Sequence, residues 1–178
     1  MSGPLPTLET PRLRLRPRRM RDLEACLAMD RETGTLDFVD WPEDAGSWQD
    51  EAAHRAFIRK RIKGPYPPGH GYWIIQKPGD PAFLGWVLLI PKDARGPEIE
   101  IGWRVPIAHR GYGYAPEAAS RLLAYAFADL GLSQMVADIY PENTASCRVA
   151  EKIGMKPTGL TPTNPGTQRY CARIDCRR

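Results

Sequence analysis

Three stretches of the chain carry residue types at spacings that can do chemistry. In Arg110-Gly111-Tyr112-Gly113-Tyr114-Ala115, two glycines fall between a strand-like run (99–105) and a run with Ala115, Ala119, Leu122, Ala126 and Leu130 at helical spacing. A glycine turn that opens a helix leaves backbone N–H groups unpaired and adds the positive end of the helix dipole. It also lets a ligand approach with no Cβ in the way. The chemistry this predicts is a phosphate cradle; the plain alternative is a tight strand-to-helix turn with no ligand. A Gly-x-Gly-x-x-Gly dinucleotide site does not fit, because Pro116 stands where the third glycine belongs and no second strand ending in an acidic residue follows. No Gly-Lys-Ser/Thr phosphate loop occurs in the sequence. A pyrophosphate binder of another type remains.

The second stretch is Asp138-Ile139-Tyr140-Pro141-Glu142-Asn143-Thr144-Ala145-Ser146. Pro141 ends a strand, and Asn143 or Thr144 can cap the helix that follows by accepting an N–H of its first turn. In the third, Glu98 and Glu100 alternate with Ile99, Ile101 and Trp103, so the carboxylates share one face of a strand and the apolar residues the other.

The elements that must position these residues read as a β-first, mixed order. Arg12 to Arg16 alternates arginine with Leu13 and Leu15 and predicts an edge strand with one wet face. A helix is expected over 20–30, with Leu23, Leu27 and Ala28 inward. Residues 31–47, with Gly34, Pro42 and Gly46, read as loop or broken helix around Phe38 and Trp41. A second helix, 48–62, turns Ala52, Phe57 and Ile58 inward and is ended by Pro65, Pro67 and Pro68. Antiparallel strands follow at 71–77, 82–90 and 97–105, with turns at Gly79-Asp80-Pro81 and Asp93-Ala94-Arg95-Gly96. The long helix then runs to Leu130 and stops at Gly131; a strand at 134–140 and a helix at 143–153, closed by Gly154, come next. A hairpin of 155–160 with 168–175, turning over 162–166, completes one α+β domain of about seven strands and four helices.

Composition sets the outer limits. The chain has 178 residues, 42% of them hydrophobic, and suits a single domain over residues 1–178. No apolar run approaches the ~20 residues of a membrane helix. Residues 1–11 read as a short polar leader rather than a signal peptide, which makes the cytoplasm the expected location. Cys26, Cys147, Cys171 and Cys176 lack Cys-x-x-Cys spacing, so reduced thiols and no metal site are expected. The net charge of +4 gathers at 12–21, 59–63 and Arg177-Arg178. No nucleic-acid motif accompanies it, and the basic residues are not interleaved with aromatics on one element. Neither a nucleic acid nor a membrane is expected as a partner.

Taken together, the first two stretches resemble the GCN5-related N-acetyltransferase (GNAT) superfamily, whose pyrophosphate motif, Gln/Arg-x-x-Gly-x-Gly/Ala, is filled by Arg110, Gly113 and Ala115. The run Gly113 to Ala118, with Pro141-Glu142-Asn143, Ser146 and Glu151-Lys152-Ile153-Gly154-Met155, resembles the branch that acetylates ribosomal-protein N-termini. So does the opening from Leu8 to Arg16. The resemblance implies a GNAT fold: a mixed, mostly antiparallel sheet that splays in a V between the fourth and fifth predicted strands. It also implies acetyl-CoA as donor, an acetyl-CoA-binding core over 97–155, and a primary amine as acceptor in a ternary complex, with a homodimer as a further expectation.

Residue by residue, the resemblance implies that the backbone from Gly111 through Tyr112, Gly113, Tyr114 and Ala115 holds the pyrophosphate, with Arg110 adding charge or facing solvent. Trp103, Arg104 and Val105 would line the pantetheine arm. Asn143 would contact pantetheine, cap its helix, or both. Glu-Ile-Gly-Trp at 100–103 resembles the branch's Glu-Ile-Gly-Tyr and places Glu100 at the mouth of the splay as general base; a surface carboxylate is the competing reading. Gly102 marks a position for a bulge. Many members carry a tyrosine general acid where this chain has Ala150, so Ser146, one turn earlier, is the substitute, with Tyr140 a weaker candidate. Residues 31–70 form the variable acceptor side. There Phe38, Trp41 and Tyr72, with Trp48 and Tyr66, are candidates for an aromatic wall, and Asp37, Asp40, Glu43 and Asp44 for an acidic loop facing a cationic amine. The acceptor is a peptide α-amine or a small amine such as a polyamine, amino acid or antibiotic. A non-catalytic acyl-CoA sensor is the alternative of another class.

Overall fold

Where both faces of a strand are to be covered, its sequence must be apolar almost throughout. The runs Gly-Tyr-Trp-Ile-Ile-Gln and Trp-Val-Leu-Leu-Ile-Pro meet that condition, and they form β3 (Gly71–Gln76) and β4 (Trp86–Pro91), buried along their whole length. Around them the computed structural model, which describes residues 5–42, 45–92 and 96–173, builds one eight-stranded sheet. The remaining strands are β1 (Leu8–Glu9), β2 (Arg14–Pro17), β5 (Ile99–Arg104), β6 (Gln134–Ile139), β7 (Lys156–Thr161) and β8 (Asn164–Arg173), in the spatial order β1-β2-β3-β4-β5-β6-β8-β7. Every pairing is antiparallel except β5 with β6, which is parallel.

Helices cover both faces. On one, α1 (Leu23–Asp30) and α2 (Glu51–Lys63) set Leu23, Leu27, Met29 and Ile58 against Ile74, Leu88 and Ile90. On the other, α3 (Tyr114–Ala128) and α4 (Thr144–Lys152) close a larger core that holds Leu13, Leu15, Trp73, Val87, Leu89 and Ile101. Ala118, Ala119 and Ala126 are fully buried on α3; their small side chains let the helix lie close to the sheet. Leu122, fully buried beside them, contributes roughly 1.5–3 kcal/mol by leaving water.

The α+β architecture, with a mixed and mostly antiparallel sheet, is the one expected, and several details differ. The arginine-leucine strand is not an edge, because the two-residue β1 pairs outside it, Leu8 opposite Leu15; two residues are too few for periodicity to register. In α1 the buried set Leu23, Cys26, Leu27 and Asp30 follows the i, i+3, i+4, i+7 stripe, which leaves Ala28 exposed. The second helix starts at Glu51 because the Asp50 side chain accepts from the Ala53 N–H at 2.8 Å and caps it; this phase exposes Ala52 and buries His54. The β4–β5 register runs unbroken from Trp86↔Arg104 to Pro91↔Ile99, so no bulge occurs at Gly102 on that side. Its missing Cβ instead makes room for Leu88, whose Cγ would lie 3.2 Å away. The final hairpin turns more tightly than 162–166, since Thr161 already faces Asn164. The 93–95 turn, Glu43, Asp44, Cys176, Arg177-Arg178 and the far end of the predicted last strand lie outside the described residues.

Candidate active site

Strand β5 meets β6 at the single pair Glu100↔Val136, although each strand is six residues long. Beyond that pair the two separate toward their C-terminal ends, and a helix begins at each end: α3 after β5, α4 after β6. Two helix N-termini therefore open on one gap. The gap belongs to a cleft of about 1090 Å³ that is lined from β5, the glycine turn, β6 and α4, and extends over β3 and β4 to α1 and α2.

The glycine turn has the geometry of an anion cradle. Gly111 (φ +83°) and Gly113 (φ +79°) both occupy the left-handed region, where side chains are strained. A Cβ at Gly111 would enter open space, with nothing within 4 Å. The N–H groups of Gly111, Tyr112 and Gly113 have no protein acceptor among the described residues. Those of Tyr114 and Ala115 stand in the first turn of α3, where a helix leaves its donors unmet, and the N-cap Gly113 offers no side chain to satisfy them. Residues 5–17 brace the turn. The Arg12 guanidinium donates to the Tyr112 carbonyl at 3.2 Å and pairs with Glu117 of α3 at 2.6 Å, and the Thr10 hydroxyl also donates to Glu117. Burial alone would raise the Glu117 carboxyl, but these donors hold it below its ordinary range.

Of the expected donor-side residues, Trp103, Arg104, Val105, Arg110, Gly111, Gly113, Tyr114, Ala115, Asn143 and Ser146 line the cleft. Tyr112 does not: its side chain is 61% exposed and stacks on Tyr114, so only its backbone serves the turn. The Arg104 side chain is committed to Asp30 at 2.6 Å and lies over the Trp86 ring. Arg110 is exposed and donates through Nε to the Val105 carbonyl at 3.2 Å. The Asn143 side chain accepts from the Ser146 N–H at 3.2 Å and so caps α4 while facing the cleft. Ala150 is fully buried in the core and points away, whereas Ser146, Val149 and Lys152 present α4 to the cleft. Tyr140 donates to Asp40 at 2.5 Å and accepts from Asn164. That bond to Asp40 is the main cause of the rise in its pKa, which makes the phenol a poorer acid.

Glu100 faces the cleft on the sheet face shared with Tyr72, Leu88 and Gly102. Phe38, Trp41 and Tyr72 line the same space, joined by Trp86; Trp48 and Tyr66 do not. Trp48 is 42% exposed, and Tyr66 packs behind Tyr72. Asp40 is engaged with Tyr140 and Asn164 rather than open to a cation.

Several residues of the site carry no local motif. Asp30 is 3% exposed and joins Arg104 to His54, whose Nε2 lies 3.1 Å from it; Trp41 stacks edge-on against that imidazole. Asp138 of β6 is held by Lys92 and by Arg169, whose Nε lies 2.9 Å away, and Arg169 also pairs with Glu98 at 2.6 Å. Burial pushes the Asp138 carboxyl up, and the Arg169 and Lys92 bonds pull it below its ordinary value. Arg18, Asp30 and Arg61 line the cleft from different elements, Arg18 just after β2, Asp30 at the end of α1 and Arg61 on α2, so no local pattern in the sequence brings them to one face. Among the described residues no group of three or more His, Cys, Asp or Glu is placed to hold a metal ion, and no helix is long and apolar enough to cross a membrane.

Comparison with known proteins bears on this geometry. The family profile described as "Acetyltransferase (GNAT) domain" matches residues 12–156. A structure of an acetyltransferase from Agrobacterium tumefaciens is 31% identical, covers 98% of each chain and superposes with a TM-score of 0.72. The FsC-acetyl coenzyme A-N(2)-transacetylase of Aspergillus fumigatus is 29% identical over 84% of this chain and 65% of its own length. The chain spans less than two thirds of the length of the first curated relatives it matches. A structure of Mycobacterium smegmatis RimJ in complex with CoA-disulfide shares the fold at 19% identity, over 99% of this chain and 90% of that one, with a TM-score of 0.69.

Proposed function

The chain belongs to the GNAT family of acetyltransferases, and from that premise we propose that it transfers acetyl from acetyl-CoA to a primary amine by direct attack in a ternary complex. The observation that carries this reading is the conjunction of an open glycine cradle with strands that part beside it. A cradle alone fits any phosphate; a cradle at the end of a splayed parallel pair fits a pyrophosphate with a long arm.

Each group then has a task. The backbone N–H groups from Gly111 to Ala115 hold the pyrophosphate, and Pro116, with no N–H, leaves that work to its neighbours. Backbone donors of β5 freed by the splay polarise the thioester carbonyl, where negative charge develops. Glu100 accepts the amine proton, directly or through water, as the amine nitrogen bonds to the carbonyl carbon. The C–S bond breaks, and the departing thiolate takes a proton through the Ser146 hydroxyl, which is reprotonated by solvent water in the same relay. Asn143 holds α4, and with it Ser146, in place. The ribosomal-protein branch suggested by the sequence motifs would make the acceptor a peptide α-amine.

A free-CoA release screen with acetyl-CoA over N-terminal peptides and small amines tests the reading. The expected result is CoA in step with acetylated amine for at least one acceptor class. Acetyl-CoA binding with no CoA released across the panel would contradict transfer and favour a sensor.

A further inference from the structure

Residues 31–42 lead from α1 into the acceptor side without forming a helix or strand. Beyond its join to α1, the backbone of this segment closes two turns: the Thr35 N–H meets the Glu32 carbonyl and the Val39 N–H the Leu36 carbonyl, both at 3.1 Å. A segment with so few backbone bonds keeps its place through what its side chains hold. Gly34, Thr35, Phe38, Val39 and Trp41 line the cleft, so whatever fixes the segment also shapes the site.

Side chains pin the segment at two places. At one end the Glu32 carboxylate accepts the Ile107 N–H at 2.8 Å, in the turn between β5 and α3. At the other, the Asp40 carboxylate accepts the Tyr140 hydroxyl at 2.5 Å and the Asn164 side-chain amide at 2.8 Å. Tyr140 follows directly on β6, and Asn164 opens β8, which pairs with β6. One pin thus stands on the β5 side of the splay and the other on the β6 side, and the segment between them spans the gap as a strap. Asn164 also donates to the Tyr140 oxygen at 3.3 Å, which closes a triangle of three side chains. A phenol that donates to a carboxylate makes a short, charge-assisted bond. Phe38 adds a ring contact to Tyr140 with centroids 6.2 Å apart, and Trp41 anchors on α2 through the rings of His54 and Phe57.

We propose that Tyr140 and Asp40 are positioning residues: their bond latches the strap over the splay and holds Phe38 and Trp41 against the acceptor amine. The assignment rests on the acetyl-transfer reading above and gives the 31–42 segment and the end of β6 a joint task in it. The Tyr140 hydroxyl then serves the strap and not the departing thiolate. The rise in its pKa that Asp40 causes agrees with that division of labour.

The test compares the wild-type chain with Tyr140→Phe, Asp40→Ala and the double variant. Asp40 is exposed and Tyr140 half-buried, so neither substitution empties the core. The first readout is chymotrypsin cleavage after Leu36 and Phe38 under native conditions, a rate that follows the opening of the segment. Each single variant should be cut about fivefold faster or more, with cleavage at the buried Tyr125 unchanged. The double variant should stay within about twofold of either single one, because a shared bond can be lost only once. The second readout is CoA release from acetyl-CoA with the fastest amine of the peptide and small-amine panel. The KM for that amine should rise about fivefold in all three variants, while kcat and the acetyl-CoA dissociation constant hold. Unchanged cleavage in Tyr140→Phe, or independent effects that multiply in the double variant, would overturn the latch. So would a kcat that falls about tenfold or more in Tyr140→Phe and not in Asp40→Ala, as loss of a general acid requires. No CoA release with any amine, beside the predicted cleavage, would overturn acetyl transfer and leave the latch standing.

Discussion

At the scale of single residues, the cleft contains a carboxylate and a hydroxyl whose positions, rather than their types, motivate the roles proposed for them. Glu100 lies on the cleft face of the strand that ends at the donor cradle, and Ser146 sits in the first turns of α4. Glu100→Gln should lower kcat at neutral pH by about 10²-fold or more while the acetyl-CoA dissociation constant moves little; an unchanged kcat would remove it as the base. Glu100 was legible in the sequence through alternation and through the resemblance of Glu-Ile-Gly-Trp to the branch's motif. The sequence could not show that Arg104 is tied to Asp30, or that the Tyr140 hydroxyl donates a hydrogen bond to Asp40, because those partners are distant in the chain and meet only in the fold. The Ala150 position shows the same limit from the other side: its burial is set by the rotation of α4 about its axis, which Asn143 and the core contacts decide together.

At the scale of elements, the glycine turn and the Asn143 cap of α4 are local devices, and they were readable for that reason. Gly113→Ala places a Cβ at φ +79°, 3.3 Å from an Arg12 nitrogen. It should cost about 1–2 kcal/mol of stability from the left-handed backbone alone and weaken acetyl-CoA binding, as titration calorimetry would show. Asn143→Ala removes the cap of α4 and should lower stability by about 1 kcal/mol, read from denaturant midpoints at unchanged slope. The elements that sequence misplaced are those whose limits depend on partners elsewhere. The short β1 exists only against β2, and the interior face of α2 follows from the Asp50 cap and the packing of His54 and Ile58.

At the scale of the whole molecule, two helical layers hold a single sheet, and the sheet parts only where β5 and β6 run parallel. Two carboxylates, buried Asp22 and partly buried Asp138, tie distant pieces of that frame: Asp22 accepts from Arg16 and the Arg19 N–H, and Asp138 accepts from Arg169 and Lys92. Burial opposes the charge at both, yet both folded pKa values lie below the ordinary 3.8. Their stabilisation is therefore present above that value and is lost as pH falls through the folded pKa. Melting temperature should drop steeply below about pH 4, and less steeply in Asp22→Asn or Asp138→Asn, each of which starts from roughly 1–3 kcal/mol lower stability. The central claim, that the cradle and splay hold acetyl-CoA, meets its most direct test in a thermal unfolding titration with acetyl-CoA. At one hundred times the dissociation constant the ligand adds about 2.7 kcal/mol to the folded state. The predicted result is a rise of roughly 5–10 °C for a chain of this size, lost in large part in Gly113→Ala; no rise at millimolar acetyl-CoA would contradict the account.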